Sequence, residues 1–344
     1  MCSVSAVLVS YHTGNILFHA VSSALHQSKI CQVIVVDNGN SESDLNELSR
    51  RFGSDPRFML LTGHGNIGFA RGCNLGVKHA TGEILMLLNP DCVVPGNGIT
   101  ALLKAASGIE GDWMLSPRLV NPDRSEQQGC RREILTPWIA FVEGLRLYKI
   151  APNHPYFKRF NHSHLACPME VAEIPVASGA CLMLPRLRYE AIGGMDESFF
   201  LHVEDVEFCL RFRKAGGKIY YVPNVSFVHA LGTSEVSRTF VEWHKTIGFK
   251  RYFKLHFSGV YPPGFIGFVN FCITLRFVAI ALKELVFAPL RSFRRINKAS
   301  VAPERAAGPV SYSFNGTEAE KSGESNSEYL EPQTSQIPNP DSFA

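Results

Sequence analysis

The sequence predicts an α/β protein built on a mostly parallel sheet flanked by helices, and three observations carry that prediction. Short apolar runs alternate with amphipathic helical stretches through the N-terminal part of the chain. The run GEILMLLNPD at 82–91 holds six residues, 83–88, that are mostly branched or long and apolar, with a turn signal on each side. That is the pattern of a central strand buried on both faces. Two of the predicted strands end in an aspartate, Asp37 and Asp91, and ligands of open α/β sheets bind outside such carboxyl ends.

The elements follow in order. A strand over 4–10 (VSAVLVS) is broken by Tyr11-His12-Thr13-Gly14, and Thr13 or Asn15 is placed to cap a helix carrying Leu17, Val21, Ala24 and Leu25. A second strand over 33–36 ends in Asp37-Asn38-Gly39-Asn40, and Ser41 or Ser43 opens the next helix. A third strand over 57–61 leads through a Gly-rich turn at 63–68 into a helix over 69–80, and then to the strand at 83–88. Residues 97–168 are less regular: a helix over 99–106, a strand over 113–119, then a Pro- and His-containing stretch. Order returns with a strand pair or bent strand around Ser178-Gly179, and the turn 192–200 with its paired aromatics follows. Next come an amphipathic helix over 203–214 stopped by Gly216-Gly217, a last strand over 218–222 and a basic helix over 238–257.

Composition narrows the class. Of 344 residues, 45% are hydrophobic and 19% charged, as in ordinary globular proteins. A net charge of +3 gives no argument for a nucleic-acid partner. The nine cysteines form no CxxC pair and several lie in apolar runs, so they predict buried thiols in a reducing compartment, not a zinc site. The N-terminus enters a strand pattern with no basic leader, and the expectation is a cytoplasmic protein.

Three motifs bear on chemistry. The segment Gly63-His64-Gly65-Asn66-Ile67-Gly68 fits GxGxxG, with Glu83 at about the distance of a ribose-binding acid. In a dinucleotide fold, however, that acid ends the second strand. Here Glu83 begins a strand and the glycines follow a third one, so a nicotinamide dehydrogenase is the weaker alternative. Asp91 is placed to hold a divalent cation against a diphosphate; the plain alternative is a solvated side chain in an Asn-Pro turn. Asp196, Glu197, Glu204, Asp205 and Glu207 cluster within twelve residues. A solvated helix start, where acids favour the dipole, accounts for Glu204 and Glu207. Asp205, after the apolar approach Phe199-Phe200-Leu201-His202 and beside Val206, is placed to be partly desolvated and to act as a general base. His229, followed by Gly232-Thr233-Ser234, is a candidate phosphate or metal contact.

Seven segments taken together identify a relationship: VSYHTG, VVDNGNSE, GNIGFARGCNLGV, GEILMLLNPD, SGACLMLPR, GGMDESFFLHVEDVEFCLR and HALGTS. In this order the chain resembles the family 2 glycosyltransferases of the GT-A fold, and within them bacterial rhamnosyltransferase-like enzymes, over about 4–257. The resemblance implies a GT-A domain with a C-terminal helical extension, and an inverting transfer of a sugar from a nucleotide diphosphate donor to a hydroxyl. Tyr11, Asp37 and Asn38 match positions that hold base and ribose, with Asn66, Arg71 and Asn89 also on the nucleotide side. The family's Asp-x-Asp metal motif falls on Asn89-Pro90-Asp91, so Asp91 is the surer ligand of Mg²⁺ or Mn²⁺, with His229 beside it. The catalytic base falls on Asp205; Glu204, Ser178 and Gly179 match the acceptor side.

The resemblance further implies a non-processive enzyme, since no Trp is preceded by Arg as in the Gln-x-x-Arg-Trp motif of processive synthases. The expected donor is dTDP-rhamnose and the expected acceptor a polyprenyl-diphosphate-linked or other glycan. A sugar-nucleotide-binding protein without turnover is the remaining alternative. The stretch 265–290 is strongly apolar but interrupted by Arg276, Lys283 and Glu284, and Arg291, Arg294, Arg295 and Lys298 follow. Arg276 and Lys283 share a helix face. This pattern fits a helix lying on the cytoplasmic face of the inner membrane better than one crossing it; a buried core helix is the alternative. The expected division is a transferase domain over 1–257, a membrane-associating segment over 258–297 and a disordered tail over 298–344.

Overall fold

The computed structural model describes residues 3–152, 154–230 and 236–299. The first half-sheet is laid down by β1 (Val4–Ser10), α1 (Ile16–Leu25), β2 (Ile30–Asp37), α2 (Glu42–Phe52), β3 (Phe58–Leu61), α3 (Phe69–Lys78) and β4 (Ile84–Leu88). Then come β5 (Cys92–Val93), α4 (Gly98–Ala106), β6 (Trp113–Val120), β7 (Arg131–Arg132) and α5 (Pro137–Leu145). The remaining elements are β8 (Ala172–Glu173), β9 (Val176–Ala177), β10 (Cys181–Pro185), α6 (Arg186–Ala191), α7 (Glu204–Lys214), β11 (Lys218–His229), α8 (Arg238–Phe257) and α9 (Pro263–Ala299).

The main sheet runs β3-β2-β1-β4-β10-β6-β11-β5, with β8 on β11. Its β3-β2-β1-β4 part is wholly parallel, whereas β10 runs antiparallel to both β4 and β6. β4 lies between β1 and β10 and every one of its residues is buried, as its unbroken apolar run requires. The chain leaves β1 toward β2 on one side and returns through β4 on the other. This reversal opens a crevice at the carboxyl ends of β1 and β4.

Two expectations change on contact with tertiary structure. The last strand does not stop at 222: β11 continues past Pro223 to His229, with its register on β6 shifting between Val222 and Ser226. Pro223 cannot donate to a ladder, and the irregularity absorbs it. The residues around Ser178-Gly179 also divide between sheets: β9 pairs with β7 in a two-stranded ribbon, while β10 enters the main sheet.

α9 is long and apolar enough over Pro263–Val286 to cross a bilayer, with a mean hydropathy of 2.1 and 11% of its most apolar window buried. That exposure overturns the buried-core alternative. The basic stripe expected on Arg276 and Lys283 is also not a common outward face. Arg276 turns back to an ion pair with Glu242 on α8, while Phe268, Phe271, Leu275, Leu282 and Leu285 are left exposed. The expected tail beyond Ala299 and residues 231–235, which hold the end of the HALGTS segment, lie outside the described residues.

Candidate active site

A cavity of about 510 Å³ opens at the crevice, and its wall includes Tyr11, Asn38, Asn66, Asn89, Asp91 and His229. Six of the predicted site residues are thereby brought together from five separate strand ends and loops. Tyr11 follows β1 and lies against Gly39, where a Cβ would come within 3.1 Å of its ring. The Asn38 amide nitrogen donates to the Gly68 carbonyl at 3.0 Å, and its Oδ1 is buried with no hydrogen-bond partner. Such an orphaned acceptor at a cavity wall is available to a ligand donor. Asn66 Oδ1 accepts from the Gly68 amide at 3.1 Å.

Gly68 explains the glycine motif without a dinucleotide. Its φ is +86°, and a Cβ there would sit 2.7 Å from the Phe200 carbonyl. The loop docks on that carbonyl, which accepts from the Phe69 amide at 2.8 Å. The motif follows β3, the last strand at its end of the sheet, and Glu83 is exposed just before β4. The dehydrogenase alternative has no ribose-binding acid where it needs one.

Asp91 and His229 meet because β5, the two-residue strand just past Asp91, pairs with the end of β11. The His229 Nε2 lies 3.0 Å from Asp91 Oδ1 and 3.2 Å from the Asn89 amide nitrogen. The opposite ring nitrogen, Nδ1, is 2.6 Å from Gln127 Oε1, and Gln127 Nε2 donates to the His229 carbonyl at 3.1 Å. With Gln127 so oriented, Nδ1 carries the hydrogen and Nε2 is an acceptor, facing both the Asn89 side-chain amide, which donates to it, and the Asp91 carboxylate. A positive centre between Nε2 and Oδ1, either a proton or a metal ion, reconciles the two acceptors. An oxygen and an imidazole nitrogen so placed suit Mn²⁺ or Mg²⁺. Gln127 is invisible to motif reading: it comes from the irregular stretch, 102 residues away from His229.

Asp205 lies on the first turn of α7, outside the cavity wall but beside it. Its Oδ2 accepts from the Gly179 amide at 3.0 Å and pairs with Arg132 Nη1 at 2.9 Å, while Oδ1 accepts from the Val206 amide at 2.8 Å. Gly179 is required here, since a Cβ would sit 2.8 Å from Asp205 Cβ. The next carbonyl, that of Ala180, accepts from the Asn89 amide at 2.8 Å, which ties Asp205 to the edge that carries Asp91. Burial raises the Asp205 carboxyl pKa, but the Arg132 charge, the Gly179 amide and His202 outweigh it, and the net direction is down.

The expected solvated helix start is overturned. Glu204 is 7% exposed and Glu207 is 1% exposed. Glu204 Oε2 has no partner, and burial together with the Asp205 charge pushes its pKa up. Glu207 is matched by Arg211 at 2.7 Å and His256 at 3.1 Å. The α7 helix starts from two consecutive left-handed residues, His202 and Val203, at φ +65° and +73°. For a β-branched Val this is a strained conformation, and it holds the two acids at a fixed entry angle. His202 lines the cavity, and burial and then Lys245 lower its pKa to about 4, so it stands neutral at pH 7.

Besides Asp205, Glu204 and Gly179, three further predicted residues are not brought to the cavity wall. Arg71 points outward, 57% exposed, toward Glu197 at 3.6 Å. Asp37 Oδ1 is occupied by the Gly39 and Asn40 amides and the Asn40 side chain at 2.7–3.0 Å, so it shapes the turn that presents Asn38. Ser178 Oγ accepts from the Ala180 amide at 3.3 Å.

With this geometry in view, comparisons with known proteins are specific. Residues 5–161 match the family described as Glycosyl transferase family 2. The N-acetylglucosaminyl-diphospho-decaprenol L-rhamnosyltransferase of Mycobacterium tuberculosis is 28% identical over 240 residues, 65% of this chain and 74% of that protein. The dTDP-rhamnosyl transferase RfbF of Shigella flexneri is 22% identical over 240 residues, 68% of this chain and 71% of that protein. Among solved structures, the mannosyltransferase PcManGT from Pyrobaculum calidifontis, in complex with GDP-Man and Mn²⁺, aligns with a TM-score of 0.51 at 16% identity, over 87% of this chain and 80% of that one. GalNAc-T7 with UDP, GalNAc and Mn²⁺ aligns with a TM-score of 0.54 at 16% identity, over 75% of this chain; the aligned part is 48% of that chain. These two likenesses bear on the fold. Residues 5–161 thus carry a family 2 glycosyltransferase domain, on a chain that has the GT-A fold and is similar to rhamnosyltransferases.

Proposed function

We propose that the enzyme is an inverting, non-processive transferase moving rhamnose from dTDP-rhamnose to a hydroxyl of a lipid-linked glycan. The observation that carries this reading is the convergence of Asp91, His229 and Asn38 on one cavity, with Asp205 held one strand away at the same sheet edge. Tyr11, Asn38 and Asn66 take the base and ribose; Asn89 lies where the diphosphate passes. Asp91 and His229 hold a divalent metal, and Gln127 fixes the imidazole in the orientation this needs. Bound there, the ion supplies positive charge to the departing diphosphate.

Asp205 then acts as the base. The acceptor oxygen attacks the anomeric carbon, its proton passes to the Asp205 carboxylate, and the bond to the diphosphate oxygen breaks with its electron pair on the nucleotide. One displacement of this kind inverts the anomeric carbon. Arg132 keeps Asp205 ionised and aimed, while burial and the Asp205 charge raise the pKa of Glu204, so that Asp205 carries the charge of this adjacent pair.

The names of the two rhamnosyltransferase relatives support the donor sugar, and the decaprenyl acceptor of one supports a lipid carrier. The Mn²⁺ of the two structural neighbours supports the metal. The same division of the chain is proposed, with a transferase domain to 257 and a membrane-associating segment over 258–297. The exposed apolar face of α9 supports contact with the inner membrane through that face, placing the enzyme on its cytoplasmic side. A panel of nucleotide sugars with and without Mn²⁺ or Mg²⁺, read by thermal shift, tests the donor. At a hundredfold excess over Kd the true donor adds about 2.7 kcal/mol of stability. A shift with UDP-sugars and none with dTDP-rhamnose would reject the proposed donor.

A further inference from the structure

Among the described residues lining the cavity, Lys245 is the one Lys or Arg. It stands on α8, a basic helix that supplies none of the donor-site groups named above. Several contacts fix that helix at the cavity. The ring of Phe200 stacks on His244 at 4.6 Å, and Phe240 meets His244 at 4.4 Å. Gly248 lies so close to Val203 that a Cβ would be 3.0 Å from its side chain. The helix that carries Lys245 is thus packed on the same loop that sets the entry of α7.

Its acidic neighbour is already satisfied. Glu242, 9% exposed, is hydrogen-bonded by Arg276, whereas Lys245 Nζ stands 3.6 Å from its other oxygen, beyond hydrogen-bond length. The other polar groups on the wall are neutral amides, a phenol, two imidazoles and the Asp91 carboxylate. A nucleoside diphosphate brings at least two negative charges into this space, and the Asp91 side offers them one anchoring point.

We propose that Lys245 binds the diphosphate of the donor directly, from α8, opposite in origin to the Asp91–His229 pair on the sheet, and stabilises the leaving group as its charge grows. This rests on reading the cavity as the donor site. Lysine suits such a role, since it is a compact point charge on a flexible stem that can follow the phosphate as it leaves.

The test measures binding of dTDP and UDP, and of thymidine and uridine, to full-length wild type, Lys245→Gln and Lys245→Arg in Mg²⁺ at two salt concentrations. Lys245 is about one-third exposed, so both variants should fold, and a melting curve confirms it. The expected result is a loss of about tenfold in diphosphate affinity for Lys245→Gln, the scale of one charge-assisted hydrogen bond. Its binding should also become less sensitive to salt, Lys245→Arg should stay within about threefold of wild type, and nucleoside affinity should not move. Unchanged diphosphate affinity and salt sensitivity in Lys245→Gln would overturn the proposal, leaving Lys245 as an ion-pair partner of Glu242. An equal loss for nucleoside and diphosphate would overturn it as a structural effect. Wild type that bound neither diphosphate would overturn the donor-site reading and this inference with it.

Discussion

Asp91 and Asp205 sit at one sheet edge but are built in opposite ways. Asp91 is set by its neighbours in sequence, at the turn where β4 ends, and faces an imidazole whose lone pair calls for a cation. Asp205 is held by a guanidinium 73 residues away and by the amide of a glycine 26 residues away. The first carboxylate is prepared to gather positive charge; the second already has it. The difference teaches that one edge can carry two acids with separate roles when each charge is settled by different partners.

Removing the proton acceptor should produce the largest effect. Asp205→Asn keeps the shape and should lower turnover by roughly a hundredfold or more while donor affinity stays near wild type; parallel kinetics and calorimetry read the two. Near-normal turnover there, with Glu204→Gln inactive, would transfer the role of base to Glu204. On the other acid, Gln127→Leu should weaken Mn²⁺ affinity by about 10–100-fold, the usual scale for losing the partner of a ligating imidazole. Metal titration followed by donor binding checks it, and metal-free nucleoside binding should not change.

Arg132→Gln tests whether Asp205 owes its ionisation to the guanidinium. The acid limb of the pH–rate profile should move to higher pH, because burial, no longer offset, raises the carboxyl. An unmoved limb would make Arg132 structural only. Glu204 makes a smaller, opposite statement about stability. Its folded pKa lies above the unfolded one, so between them the folded state binds more protons and stability falls as pH rises. Because His202, with its lowered pKa, gives the opposite slope below about 6.5, the Glu204 decline should show in wild-type melting temperatures across pH 6.5–8 and be shallower in Glu204→Gln. Smallest of all, Arg71→Ala should leave donor affinity unchanged and stability within about 0.5 kcal/mol.

The same contrast sets what the sequence discloses. Val4–Ser10 and Arg238–Phe257 are found with the bounds expected of them, the first an unbroken apolar run stopped by a turn, the second opened by the Ser237 cap and ended at Ser258. Asp91 and the cavity asparagines are legible for that reason: strand ends are punctuated locally. Arg132 and Gln127 come from a stretch with no regular period, and only the fold brings them to Asp205 and His229. Glu204 and Glu207 mislead because acids at a helix start ordinarily meet water, whereas α8 and its His256 cover this one. Arg71 misleads in the other direction, since the family pattern carries it on the helix face that the Gly68 loop turns outward.

The most direct test of a single displacement between the two acids is the stereochemistry of the product. With the donor that the thermal-shift panel selects, proton NMR of the glycoside formed by wild type should show an anomeric configuration opposite to that of the donor. Retention of the donor configuration would contradict the account, because one attack assisted by Asp205 on a sugar leaving with its diphosphate cannot produce it.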